Sequence, residues 1–261
     1  MLGLGLALSK ASGTLRSIVK SGLVMANNFL QQSLTHPAQG SAEFNGTSDY
    51  FDTGIDIDTT QSMTFGAWIY LSDISTARAI AGDGYPTVGE AGFAIIKTTN
   101  AGDILVAYGS TSKTLAILPS LNKWYYIATS FDSGIMKVYI NGSEVYASTY
   151  ANANPQHDRS LFIGCRRGQS SPYQAIQFWD GNLANVAIWN RALTSDEINS
   201  VMWKSYEALS GAESNGLKAW YSLEDITSPA ASLANMEQLA ADKDATIENK
   251  AAITAAINAL S

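Results

Sequence analysis

Residues 178–199, FWDGNLANVAIWNRALTSDEIN, pass from one structural period to another without a break. Leu183, Asn185, Ala187 and Trp189 point one way and Ala184, Val186 and Ile188 the other. This is the two-residue period of a β-strand, with Val186 and Ile188 marking the core face. Helix grammar follows: Thr194 with Glu197 three residues on has the spacing of a capping box, in which hydroxyl and carboxylate satisfy each other's backbone amides. A long strand running through Asn-Arg-Ala-Leu into a short capped helix is the strongest constraint on the fold.

Upstream, strand signals recur at close spacing. Met63, Phe65, Ala67, Ile69 and Leu71 alternate with Thr64, Gly66, Trp68 and Tyr70, and apolar runs follow at 92–97, 104–108, 115–118 and 124–131. In MKVYINGSEVYA, Asn141-Gly142 supplies the two positive-φ residues of a type I′ hairpin turn. Many strands and one strong helix predict an antiparallel all-β domain. The flanks differ. Residues 1–40 hold Lys10, Arg16 and Lys20 but no carboxylate, the first being Glu43. From 209 the chain carries a last strand at 216–223, then an Ala-rich stretch predicting two short helices broken near Asp242–Asp244. Ile253, Ile257 and Leu260 form one apolar stripe there.

The strand-to-capped-helix segment, together with Glu43–Gly54 (EFNGTSDYFDTG), resembles the LamG-like modules of the concanavalin A-like lectin group over residues 41–208. The resemblance implies an antiparallel jelly-roll β-sandwich, with residues 1–40 as an N-terminal anchoring extension and 209–261 as a C-terminal strand and helical extension. The opening MLGLGLALSKASG, before a bare jelly roll, resembles LamG-bearing structural proteins of tailed bacteriophages. That likeness implies a non-catalytic virion component (head fibre, decoration or tail protein) displaying its sandwich for adhesion or assembly. Its partners would be other virion proteins, contacted through both extensions, in a homo-oligomer, a trimer by analogy with fibres. It would be assembled in the host cytoplasm. A free, extracellular carbohydrate-binding lectin and a degenerate glycoside hydrolase are the alternatives.

Composition narrows these classes. A net charge of −7 argues against non-specific nucleic-acid binding, which needs clustered cations. The one cysteine, Cys165, excludes an intramolecular disulfide and fits assembly in a reducing compartment. No run approaches the ~20 apolar residues of a membrane span. The opening apolar stretch has its basic residues after it, the wrong order for secretion.

Catalytic signals are weak. Glycoside hydrolysis with retention needs two carboxylates about 5 Å apart. The nearest pattern, Asp56-Ile57-Asp58, precedes Thr59-Thr60 and reads as turn chemistry. The two histidines, His36 and His157, have no zinc spacing. Calcium is the one cofactor the resemblance suggests, held at the sandwich rim, with Asp83 and Asp180 as the candidate ligands. Both precede glycine, and a plain Asp-Gly turn is the preferred reading. Saccharide binding needs an exposed aromatic platform beside amides or carboxylates. Tyr85, Tyr173 and Trp179, with Asn182, are the candidates near loops, whereas Trp68, Trp124 and Trp189 fall in strand patterns expected in the core. Trp179 has two readings, sugar platform or core plug, and the second is preferred.

Overall fold

Alternating apolar residues build two packed antiparallel sheets. The computed structural model describes residues 41–223, apart from 74, 85–91, 100–101, 118–120, 152–158 and 169–173. Tyr85, Tyr173, the histidines, the N-terminal extension and the C-terminal helices lie outside the described residues.

The first sheet holds β1 (Ala42–Asn45), β3 (Met63–Leu71), β8 (Trp124–Asp132), β9 (Ile135–Ile140), β10 (Ser143–Thr149), β14 (Asp180–Trp189) and β15 (Leu217–Tyr221). Its order is β1-β14-β3-β8-β9-β10, with β15 pairing the far end of β14. The second sheet runs β2-β11-β4-β5-β6-β7. These strands are β2 (Phe51–Asp56), β4 (Arg78–Gly82), β5 (Gly92–Lys97), β6 (Asp103–Gly109), β7 (Thr111–Ala116) and β11 (Ser160–Ile163). A small ribbon, β12 (Arg166–Arg167) with β13 (Ala175–Ile176), completes the strands. The predicted antiparallel sandwich is the fold observed.

The inner faces meet in one core that includes Phe65, Ile69, Phe93, Val106, Ile127, Phe131, Val138 and Ile163. Each such side chain contributes roughly 1.5–3 kcal/mol by leaving water. The alternation of β3 holds as read, its odd-numbered residues inward and Trp68 outward. Asn141 and Gly142 both have positive φ, 51° and 80°, as the type I′ turn requires.

The pattern read for β14 needs one correction. Its register against β3 shifts between Ala184 and Ala187, and Asn185 there has a φ of 46°. This β-bulge inserts an extra residue. Leu183 therefore joins Val186 and Ile188 in the core, while Ala184 joins Ala187 and Trp189 on the opposite face. A strict two-residue period cannot report a bulge.

Beyond β14 the chain turns back over the outer face of the first sheet. Thr194 and Glu197 form the expected capping box of α1 (Ser195–Val201). Arg191 clamps Glu197 through two hydrogen bonds of 2.7 and 3.0 Å and also donates to the carbonyls of Ala212 and Asn215. A second capping box, Ser210 with Glu213, starts α2 (Gly211–Ser214). Leu193, Ile198, Val201 and Met202 thereby cover Trp68, Tyr126, Ala184 and Trp189 in a second apolar cluster. Both indoles are anchored: Trp68 Nε1 donates to Met202 O at 2.8 Å and Trp189 Nε1 to Glu213 O at 2.7 Å.

Candidate functional site

The cover over the first sheet stops at Trp203, which is 39% exposed with its ring 5.3 Å from that of Trp68. Beside it one cross-strand row is only partly covered. In that row Glu43 on β1 faces Asn182 on β14, Asn182 faces Tyr70 on β3, and Tyr70 faces Trp124 on β8. All four point away from the core, because their chain neighbours Ala42, Phe44, Leu183, Ile69, Leu71 and Tyr125 point into it. Glu43 is exposed, and Asn182, Tyr70 and Trp124 are half-buried. The Tyr70 and Trp124 rings lie 5.5 Å apart at 51°. Three inter-strand steps of ~4.8 Å make the row roughly 14 Å long.

The row is chemically graded. Trp124 and Tyr70 form an aromatic end. Asn182, whose Nδ2 donates to Ser41 Oγ at 3.2 Å, and the Glu43 carboxylate form a polar end. Flat apolar surface beside convergent amide and carboxylate groups is the chemistry that recognises a saccharide.

The other residues singled out in the sequence fall elsewhere. Trp179 has no exposed surface and sits in the main core. Its N–H donates to Gly164 O and its carbonyl accepts from Gly46 N, tying two loops together. A platform needs an open ring face, so Trp179 offers none. Asp180 and Gly181 do not form a turn, because both belong to β14, opposite Asn45 and Leu71. Gly181 has a φ of 132°, and a Cβ there would strike Tyr70 O.

The two candidate metal ligands have other occupations. Arg78 lies 3.5 Å from Asp180 and 2.9 Å from Asp73, and it donates to Gly46 O and Phe178 O. Its hydrogen bond is the main reason the Asp73 carboxyl is held well below the usual carboxylate range. Asp83 is buried, and its Oδ1 accepts from Phe93 N at 2.6 Å. Burial pushes its pKa up to about 7, against the pull of the Phe93 amide and Arg159. Among the described residues no group of three His, Cys, Asp or Glu gathers to hold a metal ion. Cys165 is buried, and desolvation raises its thiol far above neutrality, as expected of a small core residue. Asp58 shows the expected turn chemistry, its Oδ1 accepting from Thr60 N and Oγ1.

Trp124, expected in the core, is only partly buried and packs at the margin of the second cluster. It shares parity with Tyr126 and not with the inward Tyr125, but parity alone does not say which outward residues become covered. The route of the 190–215 segment decides that.

Residues 45–199 match the concanavalin A-like lectin/glucanases superfamily, and the chain belongs to it. No curated protein is significantly similar in sequence. Among solved structures, the chain is similar to a candidate carbohydrate-binding protein from Bacteroides ovatus, at 20% identity and a TM-score of 0.53. That match covers 71% of this chain and 51% of the other, so the chain spans about half the length of that relative. It is also similar to the CBM40 module of the Ruminococcus gnavus IT-sialidase, at 15% identity and a TM-score of 0.50, covering 64% of this chain and 98% of the module. At these identities the likeness is one of fold: a lectin-type sandwich.

Proposed function

We propose that this chain is a non-catalytic lectin-type module that binds saccharide along the Trp124–Tyr70–Asn182–Glu43 row. The observation that carries this reading is the row itself, a graded aromatic-to-polar strip, half-buried to exposed, beside the part of the outer face that α1 covers. Sugar rings stack on Trp124 and Tyr70, and Asn182 and Glu43 read hydroxyls. A glycan array probed with the full chain should include saccharides whose signal Trp124→Ala reduces about tenfold or more. The melting temperature should stay close to wild type, because Trp124 is half-buried at the margin of its cluster. An unchanged array pattern would remove the row as the site.

The module serves as a virion structural protein of a tailed bacteriophage, a head fibre, decoration or tail component, presenting this row outward. The support is the opening MLGLGLALSKASG and the acid-free first 40 residues, suited to an acidic neighbouring subunit. In that setting the full chain should co-sediment with particles, and a chain lacking residues 1–35 should not. Recovery of the full chain only as free protein would favour a free lectin instead.

A further inference from the structure

Among the described residues the exposed large apolar side chains are Tyr50, Ile135, Val145 and Trp203, and only two of them are aromatic. Trp203 lies against Trp68 on the outer face of the first sheet. Tyr50 stands on the other sheet, in a cluster that the proposed function leaves unused. From this cluster we infer a second, independent saccharide site on the outer face of the second sheet, with Tyr50 as the stacking platform and Asp52 as the hydroxyl reader.

Placement follows from strand parity. Phe51 and Thr53 of β2 are buried, and Leu161 and Ile163 of β11 lie in the core. Tyr50, Asp52 and Phe162 therefore face outward, and Phe162 lies directly opposite Asp52. On its other side Phe162 pairs with Gly82 of β4. A Cβ at Gly82 would come within 2.9 Å of Arg166 Cβ, so the glycine lets the β12 ribbon lie close on this face.

The Tyr50 ring is supported from beneath. Its centroid is 5.1 Å from that of Phe162 and 6.1 Å from that of Phe178. The Arg167 guanidinium lies 6.0 Å from the Phe162 ring centre, a cation–π contact that helps fix the floor. A supported ring loses little further freedom when a ligand stacks on it, and that lowers the cost of binding. Tyr50 keeps 36% of its surface open while the floor rings are more covered, so one aromatic face is offered rather than a general apolar patch. Burial of its lower part, with Cys165 and Asp52 nearby, holds the phenol above its ordinary pKa, leaving a neutral hydroxyl beside the carboxylate. Asp52 Oδ1 accepts from Gly54 N at 3.1 Å, which fixes the carboxylate's orientation.

Two such sites on opposite sheets of one sandwich would let a single chain bridge two glycans, gaining avidity without a second subunit. The inference shares with the proposed function only the class of ligand, and one array experiment separates them. The full chain and its Trp124→Ala, Tyr50→Ala and double variants are compared on an array of neutral and acidic saccharides, with melting temperatures recorded. Trp124→Ala should retain binding to a subset of saccharides, and adding Tyr50→Ala should remove it by about tenfold or more. Tyr50→Phe should keep most of the signal, and Asp52→Asn, which retains the acceptor for Gly54, should weaken the same subset without a change in melting temperature. If Trp124→Ala alone abolishes all binding, the second site is overturned and the first stands. If only the Tyr50 and Asp52 variants lose signal, the second site stands and the row is overturned. If neither site's variants lose signal, or the wild type gives none, both are overturned.

Discussion

Trp179→Ala is expected to cost about 3–5 kcal/mol of folding stability, the loss typical of a truncated core tryptophan. The indole has no exposed surface, lies in the main core, and is flanked by backbone bonds of 2.7 Å to Gly164 and 2.8 Å from Gly46. Removing it would leave a cavity between two loops that these bonds keep from collapsing. The Trp179 Nε1–H is buried without an acceptor, so nothing polar depends on it. Trp179→Phe should accordingly lose much less than Trp179→Ala, because it retains most of the volume and discards an unsatisfied donor. Equilibrium denaturation of both variants measures this. A Trp179→Ala chain of near wild-type stability with no array signal would restore the sugar-platform reading.

A second large effect is expected from Asp83, and it depends on pH. Its pKa rises from 3.8 to about 7, with burial as the largest cause. The facing charged groups are Arg159, which opposes the rise, and Asp56, which adds to it. The folded state therefore holds a proton that the unfolded chain releases between about pH 4 and pH 7. Stability from this group is fully present below the unfolded pKa and is lost as pH rises through about 7. The full difference is on the order of 4 kcal/mol, since one pKa unit corresponds to about 1.4 kcal/mol. Asp83→Asn keeps an oxygen to accept the Phe93 amide and cannot ionise. It should match wild type near pH 4, exceed it by a growing margin up to about pH 7, and hold that margin above. Parallel denaturation midpoints for the two proteins from pH 4 to pH 8 would show that the carboxyl is not held protonated.

Much of the sandwich is legible in the chain because its signals are local. Alternation in 63–71 reports a strand and its two faces, since successive side chains of any strand point oppositely. Asn141-Gly142 reports a hairpin because only such residues accept two successive positive φ values cheaply. Thr194 and Glu197 report a helix start because the capping box closes within four residues. Family membership is likewise carried by short motifs, and the matched region 45–199 contains nearly all of both.

The candidate site is another matter. Asn182 was legible as a polar residue near a loop, but its partners Tyr70, Trp124 and Glu43 come from three other strands. Whether an outward tryptophan is covered or open depends on where α1 lands. Arg191 ties that helix, through Glu197, to the carbonyls of Ala212 and Asn215. Trp68 and Trp124 look alike in the sequence, each an outward aromatic in a strand. Trp68 is sealed beneath Met202 and Trp203, and Trp124 is left half-open beside it. Local periodicity fixes which way a side chain points. Long-range packing alone fixes what lies above it, because burial is a property of the neighbours that the folded chain brings together.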